Sequence, residues 1–240
     1  MTSPEVSLCQ VWVADLAMQR PGHRSLLNSE EQKHRQSLRR PVDRARFTLG
    51  AALTRLVAGT ASGEPADRVQ ILRRCPRCGG AHGKPQLPGH RLHHSVSHAG
   101  DLVLVAMTDA GPVGVDVEPI DSGNLGLPTD LILHPTESLS APGDLLTYWC
   151  RKESVVKADG RGMFAPFSEI HVGRADRPPV LSDPDGQRQG VQMFDLEPRP
   201  GYLGAITVLT TTPITISMID AAPLLRTTPA PTHGPTPTNR

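Results

Sequence analysis

Short runs in which apolar and polar residues alternate recur along this chain, and alternation of this kind predicts β-strands. An early example is Val6–Leu16, where Val11 and Val13 are separated by polar or small residues. A second run, Val113–Glu118, has three valines on one face of the predicted strand. Its other face therefore carries Gly114, Asp116 and Glu118, so that two carboxylates project together.

Longer segments have helical character. An asparagine and a serine at positions 28 and 29 precede two glutamates and predict a helix start. The apolar stretch Phe47–Gly59 predicts a second helix. Shorter strands are expected at Val69–Leu72 and Phe164–Val172, and a loop at Asp176–Gly190.

The segment WCRKESVVKADGRG, from Trp149 to Gly162, predicts a helix that ends at its glycines. Residues four apart share a helix face, so Glu153 and Lys157 should project together. Taken alone, such a pair is also the usual surface ion pair of a solvated helix. Together with Asp116 and Glu118, however, the pair completes a set of three carboxylates and an ammonium. Such a set suits a hard cation and phosphate oxygens, whereas the plain alternative for the strand is an exposed acidic edge.

The chain contains an internal repeat, because Gly100–Glu118 aligns without gaps over Gly201–Ile219. Glycine, leucine and proline coincide in the two copies, and both copies predict a hairpin of two apolar strands. The repeat therefore predicts two related lobes, at residues 1–110 and 111–224. Ser217 and Ile219 replace the two acidic residues in the second copy, so the acidic face is particular to the first.

Composition narrows the possible functions. The chain has 240 residues, is 38% hydrophobic and carries a formal net charge of +1, so no global charge favours nucleic acid or an anionic membrane. Neither a signal peptide nor a membrane-spanning apolar run is evident, so we expect a cytoplasmic protein with four reduced cysteines. The Thr/Pro-rich residues 225–240 should form a disordered tail.

Two local clusters remain open to alternatives. The basic stretch from Lys33 to Arg46 is either a solvated helix face or a clamp for phosphate. Cys75, Cys78 and His82 have half of a zinc-finger spacing, but a second half is missing. A glycine-rich turn with free thiols is the alternative for this second cluster.

Four motifs together resemble the 4'-phosphopantetheinyl transferase superfamily, in its larger, monomeric, two-lobed (surfactin-synthetase-activating) branch. They are GKP at Gly83–Pro85, SVSH at Ser95–His98, GVDVE at Gly114–Glu118, and the segment that starts at Trp149. The resemblance covers the span from Arg46 to Gly162. Its implied fold is α+β, a pseudo-twofold duplication of two similar lobes, each a small antiparallel sheet packed with a helix.

The resemblance also implies a reaction, the transfer of 4'-phosphopantetheine from coenzyme A to a serine of an apo acyl or peptidyl carrier protein. Mg²⁺ is then expected on Asp116, Glu118 and Glu153, with Glu153 as general base and Lys157 beside the leaving phosphate. Coenzyme A is expected to contact Arg46 through its 3'-phosphate, and also Lys84 and His98. Coenzyme A and the carrier are the expected partners, with no nucleic acid or membrane. Two other functions stay open: a zinc-containing nucleic-acid or protein-binding module, and a coenzyme A-binding homologue without transfer activity.

Overall fold

The structure is a computed structural model that describes residues 6–75, 78–80, 83–122, 126, 128–162 and 165–227. Within them the fold is α+β, as predicted. The helices are α1 (Ser29–Ser37), α2 (Pro41–Ser62), α3 (Thr129–Ile132), α4 (Asp144–Asp159) and α5 (Ala222–Arg226). The strands are β1 (Ser7–Asp15), β2 (His93–Ala99), β3 (Leu102–Thr108), β4 (Val113–Pro119), β5 (Ser182–Asp183), β6 (Gly186–Gln187), β7 (Gln192–Leu196), β8 (Tyr202–Val208) and β9 (Ile214–Asp220).

Two sheets form the framework. The first has the strand order β2-β3-β1-β9, and the second has the order β4-β8-β7. All neighbours in these two sheets are antiparallel except β1 and β9, which run parallel. A separate two-stranded ribbon, β5-β6, lies within the predicted loop at Asp176–Gly190.

The two predicted hairpins are wrong, because neither repeat copy pairs its own strands. β3 belongs to the first sheet and β4 to the second, whereas β8 belongs to the second and β9 to the first. The two copies thus exchange their last strands, and β1 is inserted between β3 and β9. The predicted lobe boundary at residues 110 and 111 falls in the connection where the chain first crosses between sheets.

Each large helix covers one sheet, and apolar side chains fill the space between the sheets. α2 packs against β2 and β3, and α4 packs against β4 and β8. β3 is buried on both faces: Val103 and Val105 join the core beneath α2, while Leu104 joins the core that also contains Val115 and Ile206 of the second sheet. Burial on both faces explains why β3 is a continuous apolar run rather than an alternating one.

Element ends differ from the sequence expectations where local chemistry extends or interrupts them. α2 begins at Pro41, because proline is well suited to the first helical turn. α4 begins at Asp144, before Trp149, and ends at Gly160, whose left-handed φ of 77° stops the helix. The strand expected up to Val172 is a short 3-10 turn, Phe167–Glu169, followed by an isolated bridge. The predicted tail starts at 225, but residues 225 and 226 still belong to α5, and residues 228–240 lie outside the described part of the chain.

Candidate active site

β4 and α4 approach each other unusually closely at Gly114. A Cβ atom at this position would lie 2.0 Å from the Ser154 carbonyl oxygen and 2.4 Å from the Ala158 nitrogen. Only glycine allows the helix backbone to sit this close to a strand. The alternation predicted for this strand thereby places Asp116 and Glu118 against the helix that carries Glu153 and Lys157.

Asp116 and Lys157 form the centre of the site. The Lys157 Nζ lies 2.6 Å from Oδ1 of Asp116, and Asp116 is buried. Nζ also donates to the Val115 carbonyl at 3.2 Å and to the Ser97 hydroxyl at 3.1 Å. Burial lowers the pKa of Lys157, but attraction and hydrogen bonding to Asp116 outweigh it, so the pKa is raised above its ordinary value. Lys157 therefore stays cationic at neutral pH.

Glu118 and Glu153 both have raised pKa values. Burial and repulsion by Asp116 raise the pKa of Glu118 to about 7. Burial also raises the pKa of Glu153, against the opposing attraction of Lys157. Repulsion by Asp116 therefore contributes to the raised pKa of both glutamates.

The three carboxylates are candidate ligands for a cation. Oδ2 of Asp116 is buried and has no hydrogen-bond partner among the described residues, and an orphaned buried carboxylate oxygen is costly unless something binds it. Within the same residues, no three acidic, histidine or cysteine side chains converge on one point. Carboxylate oxygens are nevertheless the type of ligand that a small divalent cation prefers.

Arg46 and His98 lie beside this centre. The Arg46 guanidinium donates to the Gly100 carbonyl from Nε at 2.9 Å and from Nη2 at 2.5 Å, and to Asp43 from Nη1 at 3.2 Å. The backbone of the β2–β3 turn therefore holds Arg46 in place. Reduced solvation, together with the charges of Lys157 and Arg46, lowers the pKa of His98, although its side chain remains exposed. The charges of Lys157 and Arg46 therefore both act on the His98 ring.

Lys84 occupies a different position from the one expected of a free phosphate ligand. Its Nζ donates to the Val113 carbonyl at 3.1 Å and to the Ala158 carbonyl at 2.6 Å, and so ties the start of β4 to the end of α4. Burial lowers its pKa to about 8. An ammonium has three N–H groups, so one remains for a ligand.

The basic stretch around the α1–α2 junction is largely engaged locally. Arg35 donates to the Thr48 hydroxyl at 3.0 Å, and Arg44 donates to the Leu38 carbonyl at 2.8 Å. An exposed ion pair joins Arg40 to its neighbour Asp43. The structure therefore gives these groups structural contacts, in keeping with the plain interpretation.

The possible zinc ligands lie in a segment of which only part is described. Cys75 is buried and Cys78 is exposed, and the Gly80 N–H donates to the Cys78 sulfur at 3.4 Å. His82 lies outside the described residues.

In the described part of the chain, no helix is long and apolar enough to cross a membrane.

Sequence reasoning missed two contributors. Ser97 belongs to the SVSH motif, and its hydroxyl donates to Oδ1 of Asp116 in the other sheet at 2.8 Å, a contact that the spacing along β2 does not indicate. Lys152, adjacent to Glu153, is fully buried and pairs with Glu137 at 2.5 Å. Glu137 also accepts the Val172 N–H at 3.0 Å, so this buried pair anchors α4 to two neighbouring segments. No local periodicity could have matched residues in these separate segments.

Comparisons with known proteins agree with this geometry. Residues 112–192 match the sequence profile of the 4'-phosphopantetheinyl transferase superfamily. A 4'-phosphopantetheinyl transferase of Bacillus subtilis is 31% identical over 115 residues, which are 44% of this chain and 50% of that protein. A Bacillus pumilus enzyme of the same name is 28% identical over 171 residues, or 65% of this chain and 69% of that protein. One from Aneurinibacillus migulanus is 25% identical over 129 residues, or 50% and 53%.

The aligned region spans about half of the length of the Bacillus subtilis relative, so it covers part of that protein only. The profile match contains all four residues of the strand–helix centre, Asp116, Glu118, Glu153 and Lys157. The α+β fold and the acidic pair on β4 opposite α4 are consistent with it. Residues 112–192 are thus similar to the 4'-phosphopantetheinyl transferase superfamily, and the relatives named above support the same assignment.

Proposed function

We propose that this protein transfers the 4'-phosphopantetheine group of coenzyme A to a serine hydroxyl of an apo acyl or peptidyl carrier protein. The observation that carries the proposal is the juxtaposition of Asp116 and Glu118 on β4 with Glu153 and Lys157 on α4, held at close range by Gly114. The names of the relatives support the same reaction class. A non-catalytic coenzyme A-binding protein would have no need of this acid and base set.

In the proposed reaction, the serine Oγ forms a bond to the pyrophosphate phosphorus that carries pantetheine. The bond from that phosphorus to the bridging oxygen breaks, and adenosine 3',5'-bisphosphate leaves with the electron pair. Glu153 accepts the serine proton, directly or through a water, for which its raised pKa makes it a better base than an ordinary glutamate. Lys157 stays protonated and faces the charge that develops on the leaving phosphate.

Asp116, Glu118 and Glu153 would hold Mg²⁺, which prefers a few carboxylates together with phosphate oxygens and water. Bound there, the ion would neutralise pyrophosphate charge as the phosphorus–oxygen bond breaks. The placement of Asp116 and Glu118 on the strand that packs against the helix of Glu153 supports this assignment.

Arg46, Lys84 and His98 would position coenzyme A, with Arg46 at the 3'-phosphate. Arg46 contacts the backbone of the β2–β3 turn and keeps N–H groups beyond those bound to Gly100 and Asp43. Arg46, Lys84 and Lys157 would supply the positive charge that suits a ligand with three phosphate groups. We further propose that the protein acts as a monomer in the cytoplasm.

The test incubates apo acyl and apo peptidyl carrier proteins with this protein, coenzyme A and Mg²⁺, and follows the intact mass of each carrier. At least one carrier should gain a single phosphopantetheine, and a chelator should stop the gain. Glu153→Gln serves as the matched inactive control, since it keeps the size of the side chain and removes the base. Coenzyme A binding without mass gain on several carriers would contradict the proposal and favour the non-catalytic homologue, while about one zinc per chain and no transfer would favour the zinc module.

A further inference from the structure

The turn that joins β2 to β3 is held by a side chain of the other sheet. Tyr202 is the first residue of β8, and its hydroxyl accepts the Asp101 N–H at 3.0 Å. These two residues are counterparts in the internal repeat, whose copies are also 101 positions apart. A Cβ atom on Gly100 would lie 2.3 Å from the same hydroxyl oxygen, so glycine at this position leaves room for the Tyr202 side chain.

One peptide group of this turn is bound at both ends. Its N–H belongs to Asp101 and donates to Tyr202. Its C=O belongs to Gly100 and accepts two N–H groups of Arg46, from Nε at 2.9 Å and from Nη2 at 2.5 Å. A peptide group is planar, so its N–H and its C=O can only turn together. Rotation of this plane would therefore break the bond to Tyr202 and both bonds to Arg46.

Tyr202 restrains a turn whose backbone is permissive. Gly100 has a left-handed φ of 51°, and glycine adopts other conformations at little cost, so the peptide that follows it can rotate. The tyrosine ring is itself restricted by Arg199, whose guanidinium lies 5.0 Å from the ring centre. Arg199 in turn pairs with Asp15 at 2.5 Å. The hydroxyl that holds the turn thus belongs to a side chain with partners of its own.

The direction of the Arg46 guanidinium matters for the ligand that we have proposed for it. Bidentate binding of a phosphate depends on the orientation of the guanidinium plane. The Gly100 carbonyl sets that orientation, because it accepts from both Nε and Nη2. A change in the direction of this carbonyl would therefore turn the remaining N–H groups of Arg46 away from the phosphate.

We propose that Tyr202 is a positioning residue for coenzyme A: it orients the peptide between Gly100 and Asp101, and so directs Arg46 toward the 3'-phosphate. This inference rests on the proposed function, which places Arg46 at that phosphate. It gives the second sheet a part in binding the nucleotide, although Arg46 belongs to α2 and the turn belongs to the first sheet. Removal of the hydroxyl should change the affinity by about 2–10-fold, the scale of one net hydrogen bond.

The test measures the binding of coenzyme A and of dephospho-coenzyme A to the whole chain by calorimetry and takes the ratio of the two affinities. Tyr202→Phe keeps the ring and removes only the hydroxyl. It should lower the ratio by about 2–10-fold, by weakening coenzyme A binding with little change for dephospho-coenzyme A.

Tyr148→Phe is the matched control. The Tyr148 hydroxyl also accepts a backbone N–H, that of Ala175 at 3.3 Å, and its ring packs in a separate core with Val155 and Ile170. This variant should keep the wild-type ratio. A purely structural role of the Tyr202 hydroxyl would lower Tm in both variants and leave both ratios unchanged.

A double variant shows whether the effect passes through Arg46. Arg46→Ala should remove most of the preference for coenzyme A, and adding Tyr202→Phe should not change the ratio further, because the group that Tyr202 orients is gone. An unchanged ratio in Tyr202→Phe, or a further fall in the double variant, would overturn the positioning role, as would equal binding of both ligands by wild type. Intact selectivity without transfer to any carrier would instead contradict the proposed function alone, since the binding ratio needs no turnover.

Discussion

Replacing Gly114 by alanine tests whether the close approach of β4 and α4 is what builds the active site. The new Cβ would start 2.0 Å from the Ser154 carbonyl oxygen, whereas carbon and oxygen atoms in weak contact sit about 3.3 Å apart, so the helix must move by about 1.3 Å. The obstacle is backbone, which cannot rotate aside. A shift of that size would take the 2.6 Å contact between Lys157 and Asp116 beyond hydrogen-bonding distance.

The substitution should lower both the free energy of unfolding and the transfer rate. Overpacking of this kind typically lowers the free energy of unfolding by about 1–3 kcal/mol. Displacing catalytic groups by about 1 Å can lower the rate by about a hundredfold, so activity should fall by more than the lost folded population explains. The assay follows carrier mass at a temperature where circular dichroism shows that the variant remains folded.

Gly50→Ala is the matched control for this variant. Its new Cβ would lie 3.0 Å from a Cγ atom of Val96 and 3.6 Å from one of Val103, so it would meet side chains and no backbone where α2 packs against β2 and β3. We expect this control to keep near-normal transfer. Transfer by a folded Gly114→Ala protein at the wild-type rate would show that the close approach is not needed for catalysis.

Three further predictions concern individual side chains. Glu153→Gln should lower transfer by at least about a hundredfold at saturating Mg²⁺, and near-normal turnover would remove Glu153 from the mechanism. Arg46→Ala or Lys84→Ala should weaken coenzyme A binding, measured by calorimetry, by about 1–3 kcal/mol. The loss from Arg46→Ala should be smaller with dephospho-coenzyme A, and equal losses with both ligands would mean that Arg46 does not contact the 3'-phosphate. The pKa of Glu118 is raised from 4.5 to about 7 in the folded, metal-free protein. Between these two pH values the folded protein keeps a proton that the unfolded chain has lost, so the free energy of unfolding should fall as the pH rises. Urea unfolding should show this slope in wild type and a smaller one in Glu118→Gln, and identical slopes would contradict the raised pKa.

The strand and helix that carry the site could be predicted because their patterns are local. Alternation placed Asp116 and Glu118 on one face of β4, and helical spacing placed Glu153 and Lys157 together on α4. Both assignments of secondary structure are confirmed. The close packing of the two elements depends on Gly114, whose importance is visible only once Ser154 is placed above it.

Strand pairing and the contacts between the two sheets could not be predicted in the same way. A hairpin pattern specifies two strands and a turn, but β3 and β4 have a turn between them and still enter different sheets. β3 pairs with its neighbour β2 but also with the distant β1, and β4 pairs with the distant β8. A single sequence does not indicate such long-range pairs. For the same reason, no spacing in the sequence indicates the contact between Ser97 and Asp116, which lie in different sheets.

The exchange of last strands has a consequence for how the chain reaches its native state. Ser7 in β1 pairs with Ile214 in β9, so the first sheet gains its fourth strand only when nearly the whole described chain has emerged. Pairings of such long range slow folding, because the chain must close a large loop before any contact rewards it. During synthesis, β1 would keep an unpaired edge until β9 forms, and β4 would remain unpaired until β8 forms. A chain truncated before β9 should therefore not retain one intact lobe, but should expose the edge of β1 and be prone to aggregation.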